Sequence, residues 1–166
     1  MTNRLSSWLF AAFLFCSIHL LSGTGDTIVM HEMGGKYVGE VNAAGLPDGT
    51  GTFLYDYGGS YSGEWKNGLF DGQGTRKWHT GDVYTGEWKH GQRHGFGTMT
   101  WSVNMSYTGH WKFDQENGTG TITYPSGSKR EGKWKHGQMH GKGFLIDADG
   151  KKTPAKWYYG RVITEK

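Results

Sequence analysis

Two histidine pairs, His90/His94 and His136/His140, stand four residues apart, a spacing at which imidazoles on one helical face can share a zinc ion. Neither pair lies in a helical pattern. Both fall among glycines and polar residues that read as turns. The place held by His94 and His140 in their segments is taken elsewhere by Asp48, Asp71 and Asn117. Interchange of Asp, His and Asn fits a short polar side chain bonding to turn backbone. The pairs are also two copies of a repeating segment apart, roughly 19 Å at four strand spacings of about 4.8 Å, so they cannot share one ion. No metal and no cofactor is expected. Nucleophilic chemistry is equally sparse: there is no Gly-x-Ser-x-Gly elbow and no phosphate-cradling loop ahead of a helix. The single cysteine, Cys16, lies in an N-terminal apolar stretch. A non-enzymatic chain is expected.

The chemistry that recurs is binding chemistry. Lys66, Lys89, Lys112 and Lys135 follow at an interval of 23 residues, a basic column able to meet the phosphates of anionic lipid headgroups. Glu64 and Glu87 precede two of them by two residues and share their face, so mutual pairing is the competing expectation. Next to each lysine is a tryptophan, and Trp65, Trp88, Trp111, Trp134 and Trp157 keep the same 23-residue interval. Tyr61, Trp65, Tyr84, Trp88, Tyr107, Trp111 and Trp134 therefore form a stripe, joined by Trp78, Trp101 and Tyr124 from neighbouring runs. Part of such a stripe is expected to serve as core. The rest suits docking of a partner protein segment along a groove, or alternatively a glycan chain.

Each unit carries two runs with period-2 alternation. Tyr84, Gly86 and Trp88 alternate with Thr85, Glu87 and Lys89; Gly95, Gly97, Met99 and Trp101 alternate with Phe96, Thr98 and Thr100. That is strand chemistry, with Gly91-Gln92-Arg93-His94-Gly95 between the runs, so the unit is predicted to be a β-hairpin. The turns between units recur at Gly81, Asn104, Gly127 and Gly150, where Asn in a glycine place argues for a left-handed backbone. Glycines in step with the rings are explained sterically: a bare α-carbon lets a ring from the adjacent strand lie flat across it. Five full copies, with half-units at Thr27–Gly35 and Thr153–Gly160, account for residues 27 to 160.

The string Tyr-x-Gly-Glu-Trp-Lys-x-Gly-x-x-His-Gly-x-Gly-Thr, complete from Tyr84 to Thr98, resembles the MORN repeat (membrane occupation and recognition nexus). The resemblance covers essentially everything after residue 26. It implies an all-β, elongated, single-layer antiparallel sheet of tandem hairpins with an aromatic-lined groove. It also implies a capacity to dimerise through open edge strands, which Pro154 would discourage at the C-terminal end. Departures are Val41 for Trp, Arg130 for Tyr, and His110 and Lys133 in the glutamate column.

Residues 1–25 break the pattern. Arg4 precedes an apolar stretch from Trp8 to Leu21, followed by Ser22-Gly23-Thr24-Gly25, the layout of a signal peptide. The expected organisation is a leader at 1–25, the array at 26–160 and a tail at 161–166, in a secreted or periplasmic protein. An uncleaved leader acting as a membrane anchor is the alternative. Two sequons, Asn104-Met105-Ser106 and Asn117-Gly118-Thr119, are candidates for glycosylation in an exported protein. The net charge of +3 is spread evenly, and no basic stripe suggests nucleic acid.

Overall fold

The structure, a computed structural model, describes residues 34–163 in full and the backbone of His19–Leu20 and Thr27–Glu32. The rest of the expected leader, including Cys16, lies outside the described residues. Among them are fourteen strands and no helix: β1 (His19–Leu20), β2 (Thr27–Glu32), β3 (Gly35–Val41), β4 (Pro47–Tyr55), β5 (Gly59–Lys66), β6 (Leu69–Trp78) and β7 (Val83–Lys89), followed by β8 (Gln92–Trp101), β9 (Met105–Lys112), β10 (Gln115–Thr123), β11 (Lys129–Lys135), β12 (Gln138–Ile146), β13 (Lys152–Tyr158) and β14 (Arg161–Ile163). They form one antiparallel sheet whose spatial order is the order of the chain. At about 4.8 Å per strand the sheet extends about 60 Å across its strands.

The five expected hairpins are β3–β4, β5–β6, β7–β8, β9–β10 and β11–β12, with β2 and β13 flanking them. Arg161–Ile163, placed in a tail by sequence, instead pairs with β13 as β14. The hairpin turns are tighter than the glycine-rich stretch suggested. Gln92 to Gly95 already belong to β8, and only His90-Gly91 connects the strands. Both residues have positive φ (49° and 81°), the backbone of a two-residue type I′ hairpin turn. Asn67-Gly68, Phe113-Asp114, His136-Gly137 and Tyr159-Gly160 repeat this turn. Between units, Gly81, Asn104, Gly127 and Gly150 all have positive φ, as the asparagine in that column foretold.

Register is set by glycine. Gly39, Gly51, Gly63, Gly74, Gly86, Gly97, Gly109, Gly120, Gly132 and Gly143 stand opposite one another in a continuous row, which Ala155 ends. Beside that row every hairpin carries a bulge. In β5–β6, Glu64 alone faces Asp71, Gly72 and Gln73. The bulge frees backbone amides, and the glutamate column satisfies them: Gln73 N donates to Glu64 Oε1 at 2.6 Å and Phe96 N to Glu87 Oε1 at 2.7 Å. Thr50 N donates likewise to Glu40. At the fourth unit His110 bonds the bulge by its ring, with Nδ1 3.1 Å from the carbonyl oxygen of Thr119.

Candidate functional site

The face that carries the rings has two rows with different fates. In the first row each tyrosine lies over a glycine of the second strand. A Cβ built on Gly51, Gly74, Gly97 or Gly120 would fall 2.2–2.3 Å from the hydroxyl oxygen of Tyr37, Tyr61, Tyr84 or Tyr107. Each phenol then donates to a carbonyl across the bulge: Tyr61 to Glu64 at 2.8 Å, Tyr84 to Glu87 at 3.0 Å and Tyr107 to His110 at 3.1 Å. The tryptophans bridge units instead. Trp65, Trp88, Trp111 and Trp134 donate their indole N–H to the carbonyls of Gly51, Gly74, Gly97 and Gly120 at 3.0–3.2 Å.

Rings of successive units meet edge to face. Tyr61 stands 5.0 Å from Trp65 and 5.6 Å from Trp88, and Tyr84 stands 5.0 Å from Trp88 and 5.4 Å from Trp111. This is the geometry that aromatic quadrupoles favour. The four tyrosines are 0 % exposed and the five tryptophans at most 9 %. Burial pushes the Tyr37 phenol up to about 12 and raises those of Tyr61, Tyr84 and Tyr107 as well.

Tyr61, Trp65, Tyr84, Trp88, Tyr107, Trp111 and Trp134, expected from sequence to meet a partner, are therefore the packing core. The sequence gives the face on which a ring lies but not its depth. These rings are sealed because each fills the glycine trough of its neighbour and because β6 and β8 add residues over them. Phe70 stacks on Tyr61 with centroids 3.6 Å apart, and the Arg93 guanidinium lies 4.4 Å from the Trp111 ring.

The second row does remain open. Tyr55, Trp78, Trp101 and Tyr124 lie at or just past the ends of the second strands, at the same 23-residue interval. All four are half-buried: Trp78 and Trp101 pack on the core, Tyr55 meets Phe53 and the Arg76 guanidinium, and Tyr124 lies beside that of Arg130. Trp78 and Trp101 have no acceptor for their indole N–H among the described residues, unlike Trp65, Trp88, Trp111 and Trp134; Trp157 Nε1 is also without a partner, but it is buried. Arg76 sits within this row, buried opposite Tyr61 and Tyr84. Its guanidinium lies 3.6 Å from the Tyr55 ring and 5.7 Å from that of Trp78. No carboxylate pairs with it among the described residues, and its Nη1 is buried without a partner. Sequence alternation placed Trp78, Trp101 and Tyr124 on this face. The signal that separates the rows is strand position, since the second row lies beyond the reach of the tyrosine–glycine interlock.

On the opposite face Lys66, Lys89, Lys112 and Lys135 are exposed, and none forms an ion pair among the described residues. The expected pairing with Glu64 and Glu87 does not occur, because those carboxylates accept from bulge amides. His90 and His136 are turn residues, but His94 and His140 lie in β8 and β12. Asp48 and Asp71, in the column of those two strand histidines, accept the N–H groups of Asn67 and His90 in the adjoining turns at 3.0 and 3.1 Å. That is the turn-backbone role expected for the column, but His94 and His140 do not share it: their Nδ1 atoms are buried without a partner, and their rings pack on Phe113 and on Tyr158 and Tyr159. Asn104 is exposed at a turn, and Asn117 is half-buried beside a bulge.

The sequence profile of the MORN repeat matches residues 61–83, 84–105, 107–129 and 131–152. The first copy, with Val41 in the tryptophan place, lies outside the match yet forms a bulged hairpin like the others, with the longer connection Asn42–Leu46 in place of the two-residue turn. Among solved structures, the TCP domain of Drosophila melanogaster SAS-4 (dCPAP), in complex with a proline-rich motif of Ana2 (dSTIL), is similar over 94 % of this chain and 99 % of that chain. The identity is 11 % and the TM-score 0.45. No curated protein matches the chain. Four consecutive matched repeats covering more than half of the sequence, carried on register-locked hairpins, show that the chain belongs to the MORN repeat family.

Proposed function

We propose that this repeat scaffold is an exported, non-enzymatic protein that docks a segment of a partner protein along the row Tyr55, Trp78, Trp101 and Tyr124. One contrast carries the reading: Trp65, Trp88, Trp111 and Trp134 spend their indole N–H groups inside the sheet, whereas those of the half-exposed Trp78 and Trp101 are unclaimed. Half-open rings beside polar donors have the composition of a recognition surface, with apolar contact for affinity and hydrogen bonds for orientation. A random peptide library displayed on phage, panned against the full chain, tests this. Enriched peptides should lose binding to the Trp78→Ala/Trp101→Ala protein and keep it with Lys66→Ala/Lys89→Ala/Lys112→Ala. Enriched peptides indifferent to the tryptophan changes overturn the reading.

A second reading rests on the unpaired lysine column of the opposite face, which suits an anionic lipid surface. Sedimentation with phosphatidylserine vesicles against phosphatidylcholine vesicles tests it. Binding should weaken with salt and with each lysine removed, as expected of about 1 kcal/mol per basic residue near a charged leaflet. Export and glycosylation belong to the same proposal. N-terminal sequencing of the exported protein tests cleavage near Gly25, and the exposed turn position of Asn104 favours that sequon over Asn117.

A further inference from the structure

The open row has a period, and the period selects a ligand. Tyr55, Trp78, Trp101 and Tyr124 recur every second strand, which at about 4.8 Å per strand places neighbouring rings about 9.6 Å apart. The spacing is visible in the pairing, where Gly59 stands opposite Trp78 and Met105 opposite Trp101, so one intervening strand separates each ring from the next. None of the four rings contacts another of the row; the Arg76 guanidinium stands between the first two, 3.6 Å from the Tyr55 ring and 5.7 Å from that of Trp78. A polyproline II helix completes a turn in three residues, about 9.3 Å. The mismatch is about 0.3 Å per ring and accumulates to about 1 Å over the row, within the play of side-chain torsions.

The polar groups of the row agree with the period. Trp78 Nε1 and Trp101 Nε1 are donors without acceptors, and Arg76 adds a guanidinium whose Nη1 is unpartnered and which has no carboxylate beside it among the described residues. A surface that offers donors in excess fits a ligand rich in acceptors. Proline has a carbonyl and no N–H, and a polyproline II segment leaves every carbonyl unbonded. A helical ligand has already spent its backbone carbonyls, and an added β-strand would need a sheet edge, which this row, crossing the seven strands β4 to β10, is not. From these observations, and resting on the partner-docking reading above, we infer that the occupant of the row is a proline-rich segment of a partner protein in the polyproline II conformation. It lies across the strands with about one turn per hairpin. Its prolines pack on Trp78 and Trp101, and its carbonyls accept from their indoles.

The test is titration of the full chain, labelled with nitrogen-15, with three synthetic peptides: a decamer of proline, an amphipathic Leu/Lys helix and a flexible Gly/Ser decamer. A proline decamer is about 31 Å long and spans the whole row. The two indole signals that vanish in Trp78→Phe and Trp101→Phe should shift saturably with the proline decamer alone. Signals of the buried indoles should stay in place, which also reports that the fold is intact. The Trp78→Phe/Trp101→Phe double variant keeps the rings and loses only the donors, and should weaken binding at least about fivefold. Shifts no larger than those from the Gly/Ser peptide overturn the inference, as does an affinity unchanged in the double variant. If the helical peptide alone moves both signals, the polyproline assignment fails while partner docking on the row stands. If all three peptides are silent and the display selection also returns nothing that depends on Trp78 and Trp101, both fail together.

Discussion

The phenol of Tyr84 lies across Gly97 so closely that a methyl group on that glycine would meet its oxygen at 2.3 Å. The ring cannot retreat without giving up its bond to the Glu87 carbonyl and its edge contacts with Trp88 and Trp111. Gly97→Ala should therefore destabilise the chain by about 3 kcal/mol, the upper part of the usual range for overpacking. Thr98→Ala, which removes a hydroxyl paired with Thr108 on the exposed face, should cost about 1 kcal/mol or less. Urea unfolding followed by near-ultraviolet circular dichroism compares the two.

The two tryptophan rows should differ in stability as they differ in bonding. Trp111→Phe strands the Gly97 carbonyl, which now accepts the indole at 3.2 Å in a buried position, and should cost about 1–3 kcal/mol. Trp101→Phe strands nothing and should cost about 1 kcal/mol or less. Equal losses would mean that the second row is as structural as the first.

Alkali should unfold this protein earlier than its fold alone would suggest. The folded state holds the Tyr37 phenol protonated up to about 12, and burial also raises Tyr61, Tyr84 and Tyr107. An unfolded tyrosine loses its proton near pH 10. The stabilisation is thus fully present below about pH 10 and is lost as the pH climbs toward about 12, because only the unfolded state gains by ionising. Melting temperature against pH, with tyrosinate absorbance as a second readout, should show this decline. Tyr107→Phe should make it shallower.

The turn at Phe113-Asp114 is the outlier among its kind. Both residues have positive φ (51° and 64°), and neither is glycine or asparagine. Arg93 compensates: its Nε donates to Asp114 Oδ1 at 2.9 Å, and its Nη2 donates to the Asp114 carbonyl at 3.0 Å. Phe113→Asn should stabilise the hairpin by about 0.5–1 kcal/mol, since asparagine tolerates the left-handed region better. Asp114→Gly should gain less, because it removes the partner of Arg93. A double-mutant cycle on Arg93 and Asp114 measures that coupling.

The sequence disclosed the repeat, the hairpins and the steric use of glycine, because an interval of 23 residues and a period of two are properties of order along the chain. Asn104 even disclosed the hand of its turn. Depth was not legible. Trp88 and Trp101 fall on the same face by alternation, and only the third dimension shows that one is sealed and the other half open. The role of Glu64 and Glu87 was hidden for a related reason. A carboxylate two residues from a lysine looks like an ion pair until a bulge brings an unsatisfied amide closer. Nor could spacing alone show that Phe113 and Asp114 adopt a turn suited to asparagine and glycine.

The identity of spatial order and chain order has one more consequence. Among the described residues no strand is clasped by a distant one and nothing ties β1 to β14, so opening can begin at either end of the ribbon and run inward hairpin by hairpin. Amide exchange should accordingly grade from slow at the centre to fast at the flanks. A ligand laid across several hairpins at once would act as a splint, and its occupancy would be felt in protons far from any atom it touches.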